Sequence, residues 1–271
     1  MNEVVKRIKE LGFDEYAVVS INGETVLLVF MGYGYYTETD NDNFSVSPYY
    51  FASNRAYFAT KELVLFIKNL GYEAQMDNVV VYDNALEQAG AIRGKNNLFF
   101  IEELGSLFCV HLIRTNAPLQ MRTLKGKACK NCGKCIAACP MGAIFEGGTH
   151  PNKCLRHLMD DITNTACRKK ITTLLGCDMC QKFCPNNNRA LQKKSYPVFN
   201  KKKILSGDIQ GLAELVGKNM ARKRRLMFQA MCVAANTGDT RLLELIEQNE
   251  TADLNDVKNW CAQVLKKEIK K

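Results

Sequence analysis

The order of apolar and polar positions divides the chain into stretches of different rhythm. Up to about residue 115, helix-period and strand-period segments alternate. Residues 2 to 11 place Val4, Val5, Ile8 and Leu11 on one helical face, closed by Gly12. Tyr16 to Ser20 and Glu24 to Met31 are β-rich runs, and the Asn22-Gly23 pair between them predicts a tight hairpin. Residues 32 to 50 are rich in Gly, Tyr, Asp and Asn and read as an irregular loop. A long helix is expected from Asn54 to Leu70, with Leu63, Phe66, Ile67 and Leu70 on one face. Asn78 to Tyr82, Leu98 to Ile101 and Leu107 to Ile113 read as strands, with a helical turn at Asn84 to Ala89. The helix period returns after residue 196, predicting helices at Asp208 to Lys218, Ala221 to Thr237, Thr240 to Gln248 and Asn255 to Lys270. Asp208 and Asp239 are the expected N-caps.

Between these stretches the apolar rhythm gives way to cysteines. Cys129, Cys132, Cys135 and Cys139 form C-x2-C-x2-C-x3-C followed by Pro140. Cys154 stands alone, and Cys177, Cys180 and Cys184 form C-x2-C-x3-C followed by Pro185. The first run has the bacterial ferredoxin spacing for a 4Fe-4S cluster, in which the fourth cysteine crosses to the other cluster. Three thiolates on a tight loop reach three corners of one cubane, while the fourth faces away. That rule assigns one cluster to Cys129, Cys132, Cys135 and Cys184, and the other to Cys139, Cys154, Cys177 and Cys180. Cys167, inside the stretch between Cys154 and Cys177, competes with Cys154 for its corner. Paired C-x2-C units also build four-cysteine zinc sites, so zinc is the alternative metal.

Composition narrows the setting. An apolar fraction of 46% is ordinary for a globular chain, and no apolar run reaches the ~18 residues of a membrane span. Twelve cysteines at metal spacing, without a leader pattern, are expected of a reducing cytoplasm rather than a disulfide framework. The net charge of +9 is unevenly spread: residues 1–115 hold 9 Lys/Arg against 15 Asp/Glu, residues 116–188 hold 11 against 4, and residues 189–271 hold 17 against 9. Lys127, Lys130, Lys134 and Lys182 would offset the negative charge of ligated clusters. The C-terminal excess, concentrated at Arg222, Lys223, Arg224 and Arg225, is expected to face a polyanion such as nucleic acid, or else to form a solvated helix face. One further loop, Ala89-Gly90-Ala91-Ile92-Arg93-Gly94-Lys95-Asn96-Asn97, followed by Gly105-Ser106, is either a close-approach ligand loop or a solvated turn. Cys109, Cys232 and Cys261 are expected to be core thiols.

Taken in order, these stretches resemble the epoxyqueuosine reductase family, relatives of the reductive dehalogenases. The family carries an A-G-x-x-x-G-K-N loop, a following G-S, C-x2-C-x2-C-x3-C-P, a lone cysteine, and G-C-D-x-C-Q-x-x-C-P-x-N. Here they read Ala89-Gly90 through Gly94-Lys95-Asn96, Gly105-Ser106, Cys129 to Pro140, Cys154, and Gly176-Cys177-Asp178-Met179-Cys180-Gln181 through Cys184-Pro185-Asn186-Asn187. The expected fold class is α+β. Residues 1–115 would be a mixed α/β sandwich, truncated relative to the family and corrinoid-binding-like; 116–195 a ferredoxin-like two-cluster domain; and 196–271 an all-α HEAT-like array.

The resemblance implies two 4Fe-4S clusters and a cobalamin, the latter against Gly90, Gly94, Lys95, Asn96, Gly105 and Ser106. It implies an external low-potential electron donor of ferredoxin or flavodoxin type, and electrons passing through both clusters to the corrinoid. The implied reaction deoxygenates an epoxide on a tRNA wobble base, with tRNA held by the basic C-terminal helices of a monomeric, cytoplasmic protein. The family's proton-donating aspartate lies in a D-S-x-P-V-L-E stretch; here the equivalent reads Met76-Asp77-Asn78-Val79-Val80-Val81-Tyr82, making Asp77 the candidate acid and Asp83 the second. A two-cluster electron carrier without a catalytic pocket, and a corrinoid reductase of another substrate, are the competing readings.

Overall fold

A computed structural model of the chain describes residues 2–36, 40–77, 82–187, 193–194 and 196–270. Two compact units share it. The first comprises residues 1–35, 51–134 and 181–194, and the second residues 36–50, 135–180 and 195–271. These boundaries cut across the three segments expected from the sequence.

In the first unit a four-stranded antiparallel sheet runs in the order Glu15–Ile21, Glu24–Gly32, Phe108–Thr115, Ala74–Asp77. The hairpin turn falls where the sequence puts it: Asn22 and Gly23 both have positive φ, at 53° and 84°, as a two-residue I′ turn requires. The Glu24–Gly32 strand is buried on both faces, because the sheet is covered on both. One face (Ala17, Val19, Ile21, Val26, Leu28, Phe30, Val110, Leu112) packs on Ala85, Leu86 and Ala89 of the Tyr82–Gln88 helix region, with Phe99 and Ile101. His111, on the opposite face, meets Ser53 and Tyr57 of the long helix Tyr49–Asn69. Burial lowers the His111 pKa against a raising hydrogen bond to the Ser53 backbone, so it serves the core as a neutral ring.

Two strands differ from the sequence reading. An edge strand lies at Ala74–Asp77, pairing from Ala74 against Thr115; positions 78–81 of the expected strand lie outside the described residues, and Tyr82 begins the helix Tyr82–Gln88. Phe99–Phe100 does not join the sheet but pairs with Ile92–Arg93 in a small hairpin of its own.

The second unit is built on the helix Lys223–Thr237, buried almost continuously from Arg225 to Ala235. Lys201–Ser206, Leu243–Glu247 and Asn255–Ile269 pack around it. The expected helix at Asp208 to Lys218 shrinks to Leu212–Val216, entered through Gly211 and left through Gly217, and the helix Lys201–Ser206 precedes it. Asn200, rather than Asp208, supplies a side-chain cap, accepting from the Lys203 N–H at 3.1 Å. Asp239 caps no helix with its side chain; it binds Lys201 at 2.7 Å and Arg241 at 2.9 Å instead. Residues of the supposed irregular loop are tied into this unit by Phe44 pairing with Phe199 and by a Val46–Leu174 bridge. Among the described residues, no helix is long and apolar enough to cross a membrane.

Candidate iron–sulfur centres

All twelve cysteines are free of disulfides. In the second unit, Cys139, Cys154, Cys177 and Cys180 are brought together. Burial pushes the Cys177 thiol up to about 11, with Cys154 and Cys139 among the neighbouring thiols that add to it. Burial likewise pushes Cys180 up to about 12, with Cys177, Cys154, Cys135 and Cys139 contributing. Such thiols stay protonated in bare protein, and a coordinated metal centre is what would ionise them. Their sulfurs already receive backbone donors: the Ala143 N–H reaches Cys139 Sγ at 3.2 Å, and the Met179 N–H reaches Cys177. Hydrogen bonds of this kind tune cluster potentials.

The stretch of 22 residues between Cys154 and Cys177 is closed by amide side chains of the central helix. Gln229 is wholly buried; its Oε1 accepts from the Leu175 N–H at 2.8 Å and its Nε2 donates to the Met159 carbonyl at 2.9 Å. Asn236 Nδ2 donates to the carbonyls of Arg168 and Ile171, at 2.7 and 2.8 Å. Cys167 lies inside that closed stretch, fully buried, with Sγ 3.6 Å from the Asn164 carbonyl and near Cys232 rather than near Cys177 or Cys180. Cys154, and not Cys167, is therefore the neighbour of Cys177 and Cys180.

In the first unit, Cys129, Cys132 and Cys184 form the other group. Burial raises the Cys184 pKa, opposed by the backbone N–H groups of Asn186 and Asn187 and supported by Cys132 and Cys129. Buried amides fix this end of the cysteine run. Gln181 Nε2 donates to the Ser106 carbonyl at 2.7 Å and to the Tyr33 hydroxyl at 2.9 Å. Asn187 accepts from the Ser106 N–H at 2.8 Å and donates to the Gln181 carbonyl at 2.9 Å. Asn186 Nδ2 donates to the Ala128 carbonyl at 2.8 Å, and Lys127 Nζ donates to the Asn186 carbonyl at 2.9 Å. Gln181, Asn186 and Asn187 enter the sequence reading only as members of the Cys-Gln and Cys-Pro-x-Asn motifs, with no role assigned, and Gln229 carries no local signal. Among the described residues no three His, Cys, Asp or Glu side chains close around a point as a single-ion site would.

The residues expected to cradle a corrinoid are occupied by the chain itself. A Cβ at Gly90 would strike the Leu124 carbonyl, one at Gly94 the Phe100 ring, and one at Gly105 the Asn187 amide. Ser106 is buried against Asn187 and Gln181, and Asn96 Oδ1 accepts from the Leu98 N–H at 3.4 Å. These positions do not form an open cradle; Lys95 is half-buried on the same loop. Asp77 has a side chain only 6% exposed and ion-pairs with Arg114, which also holds Glu24 at 3.0 Å. Arg114 lines an open cleft of about 890 Å³ with Lys68, Tyr72 and Glu73, a lining that includes none of the six loop positions. Asp83 is exposed and pairs with Arg93 at 2.8 Å.

The basic run also departs from expectation. Arg225 is buried, held by the Asn219 and Met220 carbonyls and by Asp160 at 3.2 Å, so it cannot meet a polyanion. Arg224 pairs with Asp253, and Arg222 and Lys223 are exposed with no salt bridge among the described residues. Two of the four cations of this run thus have acid partners within the chain.

Comparison with known proteins matches residues 128–187 to the 4Fe-4S double cluster binding domain. An epoxyqueuosine reductase of Listeria monocytogenes is 31% identical over 131 residues, 46% of this chain and 35% of that protein. Another, from Leadbetterella byssophila, is 28% identical over 58% of this chain and 57% of that protein. The chain thus spans about a third to somewhat over half of the curated relatives it matches. The solved epoxyqueuosine reductase of Streptococcus thermophilus superposes with a TM-score of 0.78 at 19% identity, covering 98% of this chain and 90% of that one. An epoxyqueuosine reductase solved with an epoxyqueuosine-modified tRNA stem loop gives 0.74 at 16% identity, covering 100% and 93%. A reductive dehalogenase structure described in terms of B12-dependent dehalogenation gives 0.54 at 14%, covering 88% and 36%. The match over residues 128–187 makes that segment an iron–sulfur, double 4Fe-4S type, and favours iron over the zinc alternative. Over part of their length the chain is similar to epoxyqueuosine reductases, and it shares the fold of the solved ones.

Proposed function

We propose that the chain is an iron–sulfur reductase that removes the epoxide oxygen of epoxyqueuosine in tRNA. The observation that carries this reading is the gathering of Cys139, Cys154, Cys177 and Cys180 inside a double-cluster segment whose curated relatives bear that activity. One cluster is assigned to Cys129, Cys132, Cys135 and Cys184, and the other to that gathered set, following the ferredoxin crossover. When bound, the clusters pass single electrons, and a corrinoid would supply the reducing centre. The corrinoid rests on the fold shared with the dehalogenase and not on the Gly90–Ser106 positions, which the chain fills itself. In this reading, residues 1–115 are the corrinoid side, 116–195 the cluster segment and 196–271 the RNA-holding helices.

The chain's own residues divide the remaining work. Cysteines hold iron, and the N–H groups of Ala143, Met179, Asn186 and Asn187 stabilise the thiolates. Asp77 is the proposed proton donor, and Arg222 and Lys223, with Arg224, would hold tRNA phosphates largely by shape. The closed cradle gives specific support to the second reading, a two-cluster electron carrier.

An anaerobic titration of cluster-reconstituted protein with hydroxocobalamin, counting iron and cobalt after desalting, separates the two. Roughly eight irons and one cobalt per chain, followed by turnover of an epoxyqueuosine-bearing anticodon stem loop, establishes the reductase. Full iron without cobalt leaves the carrier.

A further inference from the structure

In the second unit Cys154 leads into the short helix Leu155–Leu158, on which Arg156 is the second residue. The Arg156 guanidinium carbon lies 4.2 Å from the centre of the Tyr49 ring and 5.2 Å from that of Tyr50. The two rings meet edge to face at 5.4 Å, and Arg156 donates a hydrogen bond to the Tyr50 hydroxyl. A planar guanidinium laid on two aromatic faces keeps its charge in one place.

Tyr50 connects this cation to the buried cysteine group. Its ring lies against the backbone of Gly176, where a Cβ would come 3.0 Å from Tyr50 Cε2 and 3.4 Å from Ser47 Cβ. Gly176, at φ 127°, directly precedes Cys177, and its carbonyl accepts from Thr173 Oγ1 at 2.7 Å. The Ser47 N–H donates to the Leu174 carbonyl at 3.2 Å, which holds the start of the Tyr49–Asn69 helix on that turn. Arg156 is thus two positions from Cys154 and one ring from the chain entering Cys177, and those two cysteines are neighbours. Burial raises the Tyr50 pKa against the lowering charge and hydrogen bond of Arg156, so a neutral phenol stands beside the cation. An iron–sulfur cluster gains one negative charge on reduction, and surroundings that disfavour ionised thiols disfavour that charge too. A fixed cation beside them offsets the penalty.

Resting on the double-cluster reading above, we propose that Arg156, clamped by Tyr49 and Tyr50, is a positioning residue whose fixed charge raises the reduction potential of the cluster held by Cys139, Cys154, Cys177 and Cys180. The step it assists is the uptake of one electron by that cluster from an external reductant, which is oxidised by one. No bond forms or breaks, and no proton moves.

The test is a dithionite titration of iron-loaded protein with redox mediators, read by electron paramagnetic resonance. The signal lost in Cys180→Ala identifies the buried cluster. At a fixed potential Arg156→Gln should lower the ratio of reduced to oxidised buried cluster about tenfold, a downward shift of about 59 mV for one electron. The other cluster should not move. Arg156→Lys, which keeps the charge, should shift the ratio less. Packing by the clamp would stabilise the fold without moving one potential, so an unchanged potential in iron-loaded Arg156→Gln overturns the proposal alone. An equal shift of both clusters does the same. If Arg156→Gln takes up no iron at the buried group, Arg156→Lys decides: a potential near wild type supports the role of charge, and a tenfold shift overturns it. A wild-type chain that takes up no iron brings down the double-cluster reading and this proposal together.

Discussion

The two cysteine groups solve the same problem with different means. Cys139, Cys154, Cys177 and Cys180 lie in the second unit under a helical scaffold, and burial drives Cys177 and Cys180 to about 11 and about 12. Cys129, Cys132 and Cys184 lie in the first unit with Cys132 open to solvent, beside a net of buried amides around Ser106. The buried group depends on tertiary packing from residues up to 70 positions away in sequence, as Gln229 to Met159 shows. The exposed group depends on distant pairs as well, for Asn186 meets Ala128 and Asn187 meets Ser106, 58 and 81 positions away. Burial protects a centre and lowers its ease of ionisation; exposure gives access.

Removing a ligand from the buried group should have the largest effect. Cys180→Ala is expected to lose roughly half the bound iron, read by iron analysis and electron paramagnetic resonance. Next comes the scaffold. Gln229→Leu leaves the Leu175 N–H and Met159 carbonyl unpaired inside the core, and should cost about 3 kcal/mol in thermal or denaturant unfolding, with iron leaving the buried group first. Equal loss of both clusters would break the distinction between the groups.

A milder test addresses the amide net. Gly105 sits at φ 58° against the Asn187 side chain, so Gly105→Ala should destabilise by about 2 kcal/mol. Adding Asn187→Ala should recover part of that loss, and a strictly additive double-mutant cycle would show that the two do not meet. The smallest effect is expected at Asp239, away from both groups. Hydrogen bonds from Arg241, and then Lys201, hold its carboxyl below the ordinary 3.8 against the opposing pull of burial. A lowered native pKa gives stability that is present above 3.8 and is lost as pH falls through the native value. Asp239→Asn should therefore cost about 1 kcal/mol at neutral pH, and the difference from wild type should close on acidification while iron content stays level.

Several features were legible because they are local. The Asn22-Gly23 hairpin, the amphipathic first helix, the long helix and the cysteine spacing each depend on residues within a few positions of one another. Spacing left Cys154 and Cys167 in competition, and the folded chain sets Cys154 beside Cys177 and Cys180. The edge strand Ala74–Asp77 was missed because its register comes from the Phe108–Thr115 neighbour and not from an apolar run of its own. The Gly90 loop was read as either a ligand loop or a solvated turn, because glycine signals close approach without naming what approaches; at Gly90 the Leu124 carbonyl of the same chain comes close.

By itself the sequence determined the chemistry of the centres, since soft thiolates at ferredoxin spacing leave few choices of metal, and it determined the hairpin and helix periods that local sterics impose. Only the tertiary structure decided which of Cys154 and Cys167 lies beside Cys177 and Cys180, which of the four basic residues after Ala221 is buried, and which centre faces solvent. Those outcomes depend on packing between distant segments, where a buried Gln229 or Asn187 finds its partners, and no local pattern carries that information.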